Sequence, residues 1–185
     1  MHGLVFASLR DYTVERLGEA DAAELWIDRV FETTESYDDE WFGAQLDRLA
    51  RATGETRAQV DTGFGAFAGR RTFAALYPAY YEESGDIVSF LLGIEEKIHE
   101  VVRATIPGAR PPRLQVHALG EAGVLISYTS ERHLCRLLEG LVLGAAKKLG
   151  ESVEVEEIQC MSRGDPGCVF TVLRRDEAVV ASAHG

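Results

Sequence analysis

The chain has 185 residues, 46% of them hydrophobic, and carries a formal net charge of −11. That length suits one domain with a substantial core, or at most two small ones, and the composition is that of a globular chain. The acidic balance, with no basic stripe bearing interleaved aromatics, excludes a phosphate-backbone partner such as a nucleic acid. The apolar runs fall far short of the roughly 20 residues that span a bilayer. The first stretch, "MHGLVFASLRDYTVERLG", has neither the basic start nor the cleavage site of a signal peptide, so a cytoplasmic protein without a membrane partner is expected.

In chain order, the first half reads as helices. Residues 2–17 carry an apolar stripe of Leu4, Val5, Leu9, Tyr12 and Leu17 that ends at Gly18. Residues 21–31, 39–52 and 56–68 are further amphipathic segments bounded by Asp, Thr or Gly. The aromatic cluster "TFAALYPAYY" surrounds Pro78, which predicts a broken helix. A long helix is expected from about Asp86 to Thr105, where Ile94, Ile98, Val101, Val102 and Thr105 mark one face with His99 at its edge.

Beyond the proline-rich loop the period changes from helical to alternating. "RLQVHAL" and "GVLISYTS" predict a hairpin, "ERHLCRLLEGLVLGAAKKLG" a helix closed by Gly150, and "SVEVEEIQCMS" with "CVFTVLRR" a second strand pair around "RGDPG". The plan is α+β: a helical subdomain over about 1–68, then a four-stranded antiparallel sheet with helices over 69–175. Residues 176–185 read as a frayed tail.

Two local patterns carry chemistry. In "YTSER", Tyr128, Ser130 and Arg132 alternate, so an extended backbone would turn a phenol, a hydroxyl and a guanidinium to one side, a donor set suited to carboxylates. Upstream, "HEVVRATIPGARPPRL" sets a histidine before a rigid Pro111-Pro112 step. Alone, the first could be a solvated strand end and the second a satisfied core histidine. A ligand with a metal for His99 and carboxylates for the trio is chemically a heme.

The two patterns, in this order and at this distance, resemble the H-NOX (heme–nitric oxide/oxygen binding) domain family over nearly the full length. The resemblance implies heme b, with His99 as the proximal iron ligand, Tyr128, Ser130 and Arg132 on the propionates, and Pro112 pressing the porphyrin out of planarity. It puts Val5, Leu9, Phe73, Leu137 and Leu141 on the distal wall. Oxygen-binding members have a tyrosine where this chain has Leu137, so an apolar wall and nitric oxide selectivity are expected, unless Tyr77, Tyr80 or Tyr81 reaches in. His2, His117, His133 and His184 lack the setting of His99, and the first and last are expected in solvent.

Three cysteines are an odd number and speak against a disulfide framework. Cys160 and Cys168 in "CMSRGDPGC" straddle a strand–turn–strand, so their side chains can converge. By the resemblance they would join Cys135 around a structural zinc. The family's fourth ligand, a histidine, falls on Glu157 here, with His133 as an alternative. Free thiols, with Cys135 packed in the core, and a disulfide are the competing outcomes. The implied function is a gas sensor rather than an enzyme, since no nucleophile–base pair or phosphate loop is present. No output domain fits the length, so a partner in trans is expected, typically a histidine kinase or a cyclic-di-nucleotide enzyme. The rivals are a heme-free, zinc-bearing small-ligand module, to which the ending "CMSRGDPGCVF" is similar (the 4-vinyl reductase type), and a thiol redox sensor.

Overall fold

A computed structural model describes residues 1–26, 30–106 and 108–175. Helix α1 (Gly3–Leu17) is capped by His2, whose Nδ1 accepts the Leu4 N–H. It is followed by α2 (Glu19–Leu25), which ends sooner than the sequence pattern suggests, at Trp26. α3 (Asp39–Thr53) starts on an Asp38 cap and stops at Gly54 in the left-handed region. α4 (Arg57–Phe67) opens on a capping box between Thr56 and Gln59. It runs on through a π-helical turn, Ala68–Thr72, into α5 (Phe73–Leu76). Tyr77 breaks the helix and Pro78 starts α6 (Pro78–Ser84), a position where its missing N–H costs nothing.

The long helix expected over 86–105 is α7 (Ile87–Ile94), a second π-helical stretch, Glu95–Glu100, and α8 (Val101–Thr105) without a break. Then come β1 (Arg113–Ala118), β2 (Gly123–Thr129), α9 (Cys135–Lys148), β3 (Val153–Gln159) and β4 (Cys168–Arg174). The four strands form one antiparallel sheet in the order β1-β2-β4-β3, with Tyr128 opposite Leu114 on one side and Cys168 on the other. The expected tail, 176–185, lies outside the described residues.

Two hydrophobic clusters organise the chain. The first joins Phe6, Leu9, Phe42, Leu46, Val60 and Phe64 from α1, α3 and α4. The second joins Ile87, Phe90, Ile126, Val142, Phe170 and Val172 from α7, the sheet and α9. Phe73 packs against both. The helical layer is locked to α9 by close approach of backbones. A Cβ on Gly65 would strike the Leu137 carbonyl, and one on Gly140 would strike that of Thr62. Small residues four apart on both helices allow this crossing, and it fixes how Leu137 and Leu141 are presented.

Candidate functional site

Between the two clusters lies a cavity of about 360 Å³. His99, Pro112, Tyr128, Ser130 and Arg132 all line it, as do Val5, Phe73, Leu137 and Leu141. Leu9 does not. It is fully buried inside the helical cluster with Phe6 and Phe42, because the apolar stripe of α1 has two sides and Leu9 is on the one facing that core. Its neighbour Ser8 lines the cavity instead.

His99 sits in the π-helical stretch, a geometry that recurs at functional sites because the extra residue per turn re-aims side chains. Its side chain is 14% exposed, and Nδ1 lies 2.9 Å from Glu95 Oε2. Glu95 is itself held: Oε2 accepts the Leu114 N–H of β1 at 3.1 Å, and Oε1 accepts from Arg103. Burial raises the Glu95 carboxyl, but the hydrogen bonds from His99, Arg103 and Leu114 outweigh it and hold it below its ordinary value. Burial pulls His99 down toward the neutral ring, against the opposing pull of Glu95. A carboxylate can only accept, so the hydrogen is on Nδ1 and the lone pair on Nε2. The sequence reading passed over Glu95, although its i−4 spacing from His99 was a visible signal.

Strand alternation aims only part of the polar trio. β2 ends at Thr129, and Tyr128 is its last inward residue, its phenol pushed up to about 12 by burial, with Ser130 working against that shift. Ser130 and Arg132 lie in the turn that follows, where Ser130 Oγ accepts the Arg132 N–H at 3.2 Å. Arg132 then reaches across the molecule. Its Nε donates to Asp39 Oδ2 at 2.8 Å, and Nη1 to the Arg110 carbonyl. Apolar walls, one imidazole with a free nitrogen and a guanidinium–hydroxyl edge fit a heme with its two carboxylates.

The opposite wall is not purely apolar, which corrects the expectation from the sequence. Ser8 Oγ and Thr72 Oγ1, both in the lining, are hydrogen-bonded to each other at 2.6 Å. Thr72 ends the first π-helical turn, whose irregular phase has no mark in the sequence. Of the three tyrosines considered, Tyr80 donates to the Phe90 carbonyl and Tyr81 to that of Gly69, while the Tyr77 ring stacks on Phe73. His2 also departs from expectation: it caps α1 and lines the cavity. His117 is exposed on β1, and His184 lies outside the described residues.

The family model described as Haem-NO-binding matches residues 2–157. The chain belongs to that family, whose members are heme-based gas-sensor domains. The H-NOX fold is equally plain in solved structures. An H-NOX protein from S. oneidensis in the Fe(II)NO state is 24% identical, with a TM-score of 0.88 over 95% of this chain and 100% of that one. A point mutant of an H-NOX protein from K. algicida, in the Fe(II) unliganded state, is 18% identical (TM-score 0.83, 97% and 100% covered). A point mutant of the T. tengcongensis H-NOX protein is 22% identical (TM-score 0.83, 95% and 98% covered). No curated protein matches. Among the described residues of this H-NOX domain, no helix is long and apolar enough to cross a membrane.

The H-NOX domain has a second cluster, on the same face of the sheet as Tyr128. Cys135 starts α9, Cys160 follows β3 and Cys168 starts β4, and their sulfurs converge with a Glu157 oxygen within 4.8 Å of one another. All three are free cysteines. Cys160 Sγ is 3.7 Å from that of Cys135 and 3.9 Å from that of Cys168, near the edge of about 3.8 Å that Zn–S bonds of about 2.3 Å set in a tetrahedron. The third edge, Cys135 to Cys168, is shorter, at 2.9 Å. Glu157, 5% exposed, gives Oε2 to Arg136 and Arg163, while its buried Oε1 has no hydrogen-bond partner. A buried carboxylate oxygen left over beside three sulfurs fits a cation. His133 is exposed and outside the cluster, so Glu157 and not His133 is the fourth candidate ligand. Burial pushes the Cys135 and Cys168 thiols up, with neighbouring sulfur reinforcing the rise at Cys135.

Proposed function

We propose that this H-NOX domain senses nitric oxide at a ferrous heme b, forms little stable oxygen complex, and signals in trans from the cytoplasm to a separate effector, a histidine kinase or a cyclic-di-nucleotide enzyme. One observation carries the reading: a histidine with Nδ1 secured by Glu95 lines the same cavity as Tyr128, Ser130, Arg132 and Pro112. When bound, the heme iron supplies the position at which a diatomic gas coordinates. His99 would hold the iron through Nε2, the nitrogen left free by the Nδ1 bond to Glu95. Tyr128, Ser130 and Arg132 hold the two carboxylates, and Pro112 bears on the ring. Val5, Phe73, Leu137 and Leu141 exclude water from the opposite face. Leu137 offers no hydrogen-bond donor to bound oxygen, which needs one, whereas neutral nitric oxide does not.

We assign the domain no catalytic role. It acts as two packed clusters, the helical one within 1–68 and the sheet-based one within 69–175, whose relative populations shift with the state of the His99 bond. A zinc ion on Cys135, Glu157, Cys160 and Cys168 pins the sheet half. The orphaned Glu157 oxygen favours this over a bare thiol sensor, because a buried carboxylate oxygen beside three sulfurs lacks a partner that a cation would supply.

The test is a visible absorption spectrum of the purified protein and of His99→Ala, ferrous, with nitric oxide and then with air. A heme spectrum that depends on His99, responds to nitric oxide and shows no stable oxygen complex is expected. A folded protein that takes up no heme would overturn the sensor reading in favour of the heme-free module.

A further inference from the structure

We propose that Glu95 is a positioning residue that sets the donor strength of His99, and with it how readily the axial bond is released. The proposal rests on the heme reading above.

Glu95 meets His99 across one turn of the π-helical stretch, with Oε2 2.9 Å from Nδ1. An exposed glutamate four residues from a histidine would be a weak, mobile partner. This one is oriented from two further directions. The backbone N–H of Leu114, in β1, donates to the same oxygen at 3.1 Å, and Arg103, one helical step beyond His99, holds Oε1. The side chain is 27% exposed and its partner 14%. Three elements therefore fix the carboxylate against the imidazole.

A carboxylate accepting Nδ1–H polarises the ring toward imidazolate. That raises the basicity of Nε2 and strengthens its bond to any metal it ligates. The added electron density favours ferric over ferrous iron. The same hydrogen bond would make His99 harder to release from the metal it holds, so Glu95 would set the threshold of the switch. Arg103 tempers the effect by drawing charge toward Oε1.

Resonance Raman spectroscopy of the ferrous, ligand-free holoprotein reads the iron–histidine stretch, and redox titration reads the midpoint potential. The stretch should fall in the order wild type, Glu95→Gln, Glu95→Ala, and the potential should rise in the same order. Glu95→Gln keeps shape and acceptor, so it guards against a merely misfolded Glu95→Ala. Arg103→Gln leaves the carboxylate uncompensated and should move both readings the other way. A purely structural role for the Glu95–Arg103–Leu114 contacts would shift Glu95→Ala and Arg103→Gln alike, and that result overturns the proposal. So would an unchanged stretch and potential in both Glu95 variants of a protein whose heme depends on His99, with the sensor reading left standing. If the wild type takes up no heme, both fall together.

Discussion

Asp39 and Arg132, 93 residues apart, are joined by a 2.8 Å hydrogen bond that ties the first turn of α3 to the turn after β2. The N-terminal ammonium lies 2.6 Å from the other Asp39 oxygen, and Arg110 lies 3.7 Å from the same oxygen as Arg132. The proposed anchor of the heme carboxylates is thus also a tie between the helical and sheet-based halves.

Asp39 should make that tie pH-dependent. Burial raises its carboxyl, but hydrogen bonds from the N-terminal ammonium and Arg132 outweigh it and leave the value lowered. A carboxyl depressed on folding contributes stability above its unfolded pKa of about 3.9, and the contribution is lost as pH falls through the lower folded value. The group is only partly buried, so solvent screening limits the contribution to about 1 kcal/mol or less. Asp39→Asn should lower the melting temperature at pH 7 by about 2–4 °C at most. The gap should hold down to about pH 5 and close below about pH 4. Thermal unfolding of both proteins across this range checks it, and an undiminished gap at pH 3 would refute it.

The crossing of α4 and α9 gives a second prediction, independent of any ligand. A methyl group on Gly140 meets the Thr62 carbonyl and the Ala66 nitrogen, both backbone, so no side-chain adjustment relieves it. Gly140→Ala should cost about 1–3 kcal/mol through overpacking. Chemical denaturation would measure this, whereas Gly43→Ala, inside α3 with open space around its Cβ, should be neutral or stabilise by up to about 1 kcal/mol. Equal stabilities for the two variants would mean that the helices are not in van der Waals contact there.

How much of this was legible in the sequence depended on range. The helices, the strands and the Y-x-S-x-R and His–Pro-Pro patterns are local, and a period or spacing announces each. Cys160 and Cys168 were legible because a strand–turn–strand returns them to one place. The clasp between Asp39 and Arg132 was not, since no local signal links positions that far apart. The i−4 spacing of Glu95 from His99 is legible in the sequence, but the Leu114 N–H of β1 that holds the carboxylate in place is not. The two π-helical turns have no compositional mark, and they bring Thr72 and His99 to the cavity. Leu9 misled because α1 has apolar residues on both its core side and its cavity side, and periodicity cannot say which is which.

The proposed gas selectivity would turn on Leu137 and on the Ser8–Thr72 pair. Their hydroxyls are bonded to each other, which leaves one proton of the pair to seek another acceptor. If Leu137 is what withholds a donor from oxygen, Leu137→Tyr should form an oxygen complex that persists in air. A hydrogen bond of about 1.4 kcal/mol corresponds to about tenfold slower dissociation. Ser8→Ala should leave the wild-type behaviour unchanged. Stopped-flow dissociation kinetics read both variants. A wild-type oxygen complex that disappears in Ser8→Ala would assign the donor to the hydroxyl pair and overturn nitric oxide selectivity.

The cysteine cluster makes the last prediction, and it needs no heme. Three sulfurs brought together from α9, the end of β3 and the start of β4, with the free Oε1 of Glu157, would give the proposed zinc four donors. Reduced protein should therefore purify with stoichiometric zinc by elemental analysis, and Cys160→Ser should lose it. Glu157→Gln removes the only anionic oxygen of the set, so it should weaken binding by more than the roughly 10–100-fold typical of an outer-shell change. Because the ligands join the start of α9 to the ends of β3 and β4, chelation should also lower the melting temperature. The part of the sheet around Tyr128 would loosen first, since Cys168 is its direct partner across the strands and shares its face. Hydrogen exchange before and after chelation would locate that loosening. Zinc-free protein with unchanged stability and unreactive thiols would show that the three cysteines are core packing alone.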